Sequence, residues 1–276
     1  MIEKFKEYLE EQLRSENTIK TYLIATRQYI KWYEDTFSSS FDKLLQANLA
    51  EYVSYLVNIL KLDATTINLK LTALRQFNKY LVKGNYQDDM AVSEALFRKT
   101  QAKYLNPCKI NQKDVDAFRQ KILVDHKIRD YAIATLMSYA GLRISETISL
   151  QMDAVSLPAR EIRVIGKGEK QRTVDIGEKV VQALQEYMKI RPEGCNYLFV
   201  SQKKGPLHRS TVNRIFQQYS DIITPHELRH FFCTHALEMG YDLTEVAYQA
   251  GHSDIRITQR YLHPDKMKMR EKANRL

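Results

Sequence analysis

Several short stretches of this chain place cationic and histidine side chains where they could hold one anion. His226-Glu-Leu-Arg-His230 opens a predicted helix, and the spacing of three sets His226 and Arg229 on one face, where both can donate to the same oxygens. Arginine suits that task because its planar fork binds two phosphate oxygens at once and stays charged at any workable pH. Gly141-Leu-Arg-Ile-Ser-Glu146 supplies a second arginine, Arg143, just after an apolar helix, and Gly251-His252 supplies another donor shortly before Tyr261. Lys167 stands at the tip of a predicted hairpin between Gly166 and Gly168, whose missing side chains let a backbone approach a ligand closely. The chemistry these types suggest is a grip on phosphate.

Each piece has a plainer reading by itself. A lone arginine on a helix is usually solvated, a Gly-Lys-Gly turn is usually only a turn, and one tyrosine among seventeen is usually packing. Their order changes this. The succession GLRISE, Gly-Lys-Gly hairpin, HELRH, then GH with a tyrosine nine residues later resembles the catalytic signature of the tyrosine recombinases, also called phage integrases. The resemblance spans about residues 110 to 264 and extends more loosely to the first half, which looks like the core-binding domain of that family. It implies that Arg143 and Arg229 are the two phosphate-binding arginines, Lys167 the hairpin lysine, His226 and His252 the two histidine positions and Tyr261 the nucleophile. Glu146 matches an acidic position that supports the site. It also implies a C-shaped clamp on a double-stranded DNA recombination site, a tetrameric synapse of four protomers, and a tail after Tyr261 that docks on a neighbouring protomer. That tail carries Lys266, Lys268, Arg270, Lys272 and Arg275 against Asp265 and Glu271.

The physical logic stands beside the resemblance. A phosphodiester repels nucleophiles, and its transition state spreads charge over the equatorial oxygens, so fixed cationic donors supply most of the rate. A tyrosine hydroxyl, with an ordinary pKa near 10, must lose its proton as it attacks, while the departing 5'-oxygen must gain one. His226 is the candidate base and Lys167 the candidate acid. A protein–DNA ester preserves the energy of the broken bond, so religation to a new strand needs no ATP and, in this scheme, no metal or other cofactor.

Rival readings exist. HELRH also satisfies HExxH, the zinc pattern of metallopeptidases, but the extended form fails at Cys233 and Ala236, and Glu245 would have to serve as third ligand. Zinc also leaves Arg143, Lys167 and Tyr261 unexplained. A DNA-binding protein without activity would not need the complete set. A type IB topoisomerase shares the chemistry, whereas a short two-domain chain with a helical front half favours a recombinase. For His230 and His235 a structural role is the preferred reading, and both stay outside the site.

The elements that must position these residues follow from periodicity. From Met1 to Lys83 apolar residues recur at three and four in four amphipathic runs, with Ser15 and Asp63 at N-cap positions and Gly84 as a helix stop. An all-helical domain over 1–84 follows, then an irregular linker over 85–109. The part from 110 to 276 is mixed: helices near 111–123, 129–140, 178–190, 209–219, 226–239, 243–250 and 254–262, a strand pair 161–165 and 172–176, and a third strand at 197–201. Asp242 with Glu245 has the spacing of a capping box. The fold class is mainly α with a small β-sheet, a helical core-binding domain before a mixed α/β catalytic domain.

Bulk composition agrees with this. The 276 residues suit two domains, and 42 Lys and Arg against 33 Asp and Glu favour a polyanionic partner. Residues 1–84 hold 12 of those cations against 10 acids, so most of the excess falls on the second part. Cys108, Cys195 and Cys233 form no Cys-x-x-Cys pair, and neither a disulfide framework nor a thiolate zinc site is indicated. A cytoplasmic protein is expected, since no stretch approaches the roughly 20 apolar residues of a membrane span and the first residues carry Glu3, Lys4 and Lys6.

Overall fold

A computed structural model describes residues 1–100, 108–166, 171–261 and 273–274. The chain divides into two compact units, Met1–Ala102 and Lys103–Leu276.

The first unit is built from α1 (Ile2–Glu11), α2 (Glu16–Phe37), α3 (Gln46–Asn58) and α4 (Ala64–Lys83). Ser15 and Asp63 cap α2 and α4 by accepting from the N–H of Thr18 and Thr66. The apolar stripes meet in one core containing Phe5, Leu9, Tyr29, Leu49, Leu71 and Phe77. Gly84 ends α4 at φ −86°, outside the left-handed region, so the stop needs no glycine-specific backbone. The start of the segment expected as a linker is pinned to this core. Val92 is buried and its N–H donates to Asn78 Oδ1 at 3.0 Å, while Asn68 pairs with both backbone groups of Arg98 at 2.8 and 2.9 Å.

The second unit begins with α5 (Gln112–Val124) and α6 (Ile128–Ala140), followed by a short α7 (Ile144–Ser149) that periodicity does not announce. An antiparallel sheet of β1 (Val155–Ser156), β2 (Glu161–Ile165) and β3 (Gln171–Asp175) comes next, in the order β1-β2-β3. Ile162 opposes Val174, and Ile162, Val164 and Val174 turn into the core. Then follow α8 (Glu178–Ile190), α9 (Arg209–Tyr219), α10 (Pro225–Glu238), α11 (Leu243–Ala250) and α12 (Ile255–Gln259).

Two expectations change. Residues 197–201 are not a strand of the sheet, because Val155–Ser156 takes the third place. The 197–201 run makes only isolated bridges, Gln151 with Tyr197 and Val200 with Pro206, and it is anchored by the Leu198 N–H donating to Leu150 O at 2.7 Å. Burial of Leu198, Phe199 and Val200 explains its apolar character without strand pairing. The helix expected over 254–262 spans only Ile255–Gln259. The capping box of Asp242 and Glu245 is present at the start of α11.

Candidate active site

Two helix ends organise this site through the same device. α6 ends in Gly141 at φ +66°, and a side chain there would meet the ring of Phe232 at 2.2 Å, so only glycine fits. The carbonyl of Gly141, one of the acceptors that a helix C-terminus leaves unpaired, receives the Arg229 guanidinium at 2.6 Å. α11 ends in Gly251 at φ +67°, and its carbonyl receives Arg143 Nη2, also at 2.6 Å. Each arginine is thus aimed by the partial negative charge of a helix end.

Arg143 sits immediately before α7, and Glu146 reaches back from the first turn to accept its backbone N–H and its Nη1, both at 2.8 Å. Burial opposes ionisation of Glu146, but hydrogen bonds from Arg172 and from the Arg143 N–H outweigh it, so the carboxyl lies below its usual range. His226 occupies the first turn of α10 behind Pro225, one turn before Arg229. Arg229 is 8% exposed, and its pKa falls to about 10 because burial, then the Arg143 charge, disfavours a second cation.

His252 Nδ1 lies 2.8 Å from Thr258 Oγ1. Its pKa drops to about 4 through burial and the positive field of Arg229, Arg143 and Arg172, so its ring is neutral at pH 7. Tyr261 stacks on that ring, centroids 6.1 Å apart and planes 6° apart, and meets the ring of His230 edge-on at 4.7 Å. Only 7% of Tyr261 is exposed, and it shares an apolar cluster with Phe232, Cys233 and Val246. Burial and the neighbouring Cys233 push its hydroxyl well above the ordinary tyrosine range, against the pull of Arg229.

Arg143, His226, Arg229, His252 and Tyr261 line one cleft of about 620 Å³. Four cation-capable donors and one hydroxyl converge there, an arrangement that can hold a phosphodiester against a nucleophile. Glu146 lies behind it, buried. Lys167, with residues 168–170, falls outside the described residues; Gly166 and Gln171, which flank that tip, border a second cleft that also contains Arg143 and His252. The basic tail after Tyr261 falls almost wholly outside them too. Among the described residues no group of three or more His, Cys, Asp or Glu could hold a metal ion, and Glu245 is engaged with the Asp242 N–H at 2.7 Å.

Two features escaped the sequence reading. α9 presents Arg209, Asn213 and Gln217, four residues apart, to the same cleft. Arg172 is buried beside Glu146, although in sequence it is one of several basic residues between 161 and 175 and nothing marks it.

Comparison with known proteins supplies the family. Residues 109–268 match the phage integrase family, and residues 1–88 match the phage integrase N-terminal SAM-like domain. The chain is 42% identical to the TnP I resolvase of Bacillus thuringiensis over 99% of this chain and 98% of that protein. It is 37% identical to the tyrosine recombinase XerC of Histophilus somni over 74% of this chain and 72% of the relative. In fold it is similar to the Tn1549 transposon integrase, solved with a circular intermediate DNA, at a TM-score of 0.71 and 19% identity, covering 99% of this chain and 98% of that one. The chain belongs to the phage integrase family of tyrosine recombinases, enzymes that cleave and rejoin DNA strands at specific sites.

Proposed function

We propose that Tyr261 is the nucleophile of this recombinase and that Arg143, Arg229, His226, His252 and Lys167 form the catalytic set around it, with Glu146 in support. The observation that carries the reading is the convergence of Arg143, His226, Arg229, His252 and Tyr261 on one cleft. Tyr261 Oη attacks the phosphorus of a duplex recombination site as its proton passes to His226, and an O–P bond forms. The P–O5' bond breaks, and the 5'-oxygen takes a proton from Lys167. The product is a 3'-phosphotyrosyl ester, and attack by the 5'-hydroxyl of a partner strand reverses each transfer. Arg143 and Arg229 answer the charge on the non-bridging oxygens. Neutral His252 donates a hydrogen bond without adding a third fixed charge.

The burial of Tyr261 gives this scheme a resting state. A tyrosine whose ring stacks on His252 and whose hydroxyl, beside Cys233, has its acidity suppressed does not attack stray phosphates, and reaction requires that it leave the apolar cluster for the bound phosphate. Four protomers on two sites, coupled by their basic tails, complete the reaction in the cytoplasm. No helix among the described residues is long and apolar enough to cross a membrane. Similarity along nearly the whole chain, at 42% identity, to a protein named a resolvase favours resolution as the outcome. Directly repeated sites on one plasmid should therefore yield two circles.

Tyr261→Phe tests the nucleophile. Loss of one oxygen should leave target DNA binding intact while the denaturation-resistant protein–DNA adduct disappears. An adduct that persists in the variant assigns the chemistry to another residue.

A further inference from the structure

Arg172 opposes Val164 in the β2–β3 ladder, close to the hairpin end, yet its side chain is almost wholly buried. A buried guanidinium needs partners for its five N–H donors. Nη1 and Nη2 donate to the two oxygens of Glu146, each at 3.0 Å, in a two-pronged pair. Nε donates to Gln249 O at 3.2 Å, and Nη2 also reaches Ala250 O at 3.4 Å, both at the C-terminal end of α11. A side chain on Gly251 would lie 2.6 Å from Arg172 Cζ, so the guanidinium is packed against the turn that leads to His252. Gln249, itself buried, joins the same seam by accepting the Asp175 N–H at 3.2 Å and donating to Asp175 O at 2.6 Å.

One side chain therefore touches three elements that each carry a piece of the site. These are the β2–β3 hairpin, the start of α7 where Glu146 holds Arg143, and the end of α11 where Gly251 holds Arg143 from the other side. We infer that Arg172 is a positioning residue for strand cleavage, anchored on the α11 carbonyls and holding Glu146 so that Arg143 faces the scissile phosphate. Its guanidinium is committed to Glu146 and to the carbonyls of Gln249 and Ala250, and it acts through Glu146. The inference rests on the assignment of the site proposed above. Lysine cannot replace the clamp, because a single ammonium cannot span both carboxylate oxygens and two carbonyls with a planar fork.

The test compares Arg172→Lys, Glu146→Gln and the double variant in the full chain, with Tyr261→Phe as control, on duplex carrying one target site. Arg172→Lys keeps Glu146 neutralised and should bind DNA with a Kd within about threefold of the unaltered protein, yet form adduct about 100-fold more slowly, the cost of a misplaced catalytic group. Combined with Glu146→Gln it should add less than about threefold further loss, since both changes cut one route. Adduct formation at the unaltered rate by Arg172→Lys, or losses that multiply in the double variant, would overturn the inference. So would a fall in binding as large as the fall in cleavage. If Arg172→Lys melts below the assay temperature, Arg172→Gln with Glu146→Gln, which buries no unpaired charge, takes its place; cleavage tenfold slower than Glu146→Gln alone then overturns the route. An adduct in Tyr261→Phe would instead sink the site assignment, so the two failures are distinguishable.

Discussion

Replacing Arg229 by methionine should make this protein more stable while it nearly abolishes cleavage. The fall of the Arg229 pKa from 12.5 to about 10 measures how poorly the unliganded fold tolerates that cation, first through burial and then through Arg143. A fall of that size corresponds to about 3 kcal/mol against the charged form. The sign follows from proton binding: between pH 10 and 12.5 the unfolded chain holds the proton more tightly, so the penalty is complete at neutral pH and is relieved only above pH 10. Methionine fills similar volume without charge, but it leaves the Gly141 carbonyl without the 2.6 Å bond it accepts, at a cost of about 1–2 kcal/mol. The net gain is about 1–2 kcal/mol, or about 2–8 °C in the melting of the second unit. Adduct formation should fall by about 10² to 10³, the usual effect of removing one fixed donor to a charged transition state. Scanning calorimetry on the full chain, with and without sulfate, reads the first effect, and a nicked DNA substrate that traps the adduct reads the second. Sulfate should raise the melting temperature of the unaltered protein more than that of Arg229→Met, because the anion occupies the place of the phosphate. A variant destabilised by more than about 2 kcal/mol, or one that still cleaves at the unaltered rate, would refute the view that Arg229 is a strained, preorganised phosphate donor.

Other expectations follow from the same geometry. Gly251→Ala forces a left-handed backbone on a residue with a Cβ and drives that atom into Arg172, so it should lower stability by about 2 kcal/mol in urea titration and slow cleavage together; an unaffected cleavage rate would separate the turn from the site. His252 stays neutral in the fold down to about pH 4 but titrates near 6.5 when unfolded, so stability should decline as pH falls from 6.5 towards 4, and His252→Asn should flatten that decline in pH-dependent melting. Cleavage should proceed undiminished in EDTA, since every proposed donor is a protein side chain; full inhibition reversed by zinc would restore the metallopeptidase reading of HELRH.

The candidate site was legible in linear order because most of its residues fall in short motifs whose spacing survives without any fold. Arg143 with Glu146, His226 with Arg229, and His252 with Tyr261 are each local pairs, and the helices that carry them follow from apolar periodicity and from caps such as Asp242 with Glu245. The third strand misled, since an apolar run at 197–201 looks the same whether it pairs in a sheet or is simply buried. What tertiary structure alone decided are the contacts that join residues far apart in sequence. Arg229 bonds to Gly141, Arg143 to Gly251 and Arg172 to Glu146, across separations of 88, 108 and 26 residues. The burial of Tyr261 belongs with these. An acceptor carbonyl, a dry pocket or a clamp on a carboxylate is made by whatever packing brings near, and amino-acid type at a position carries no mark of it.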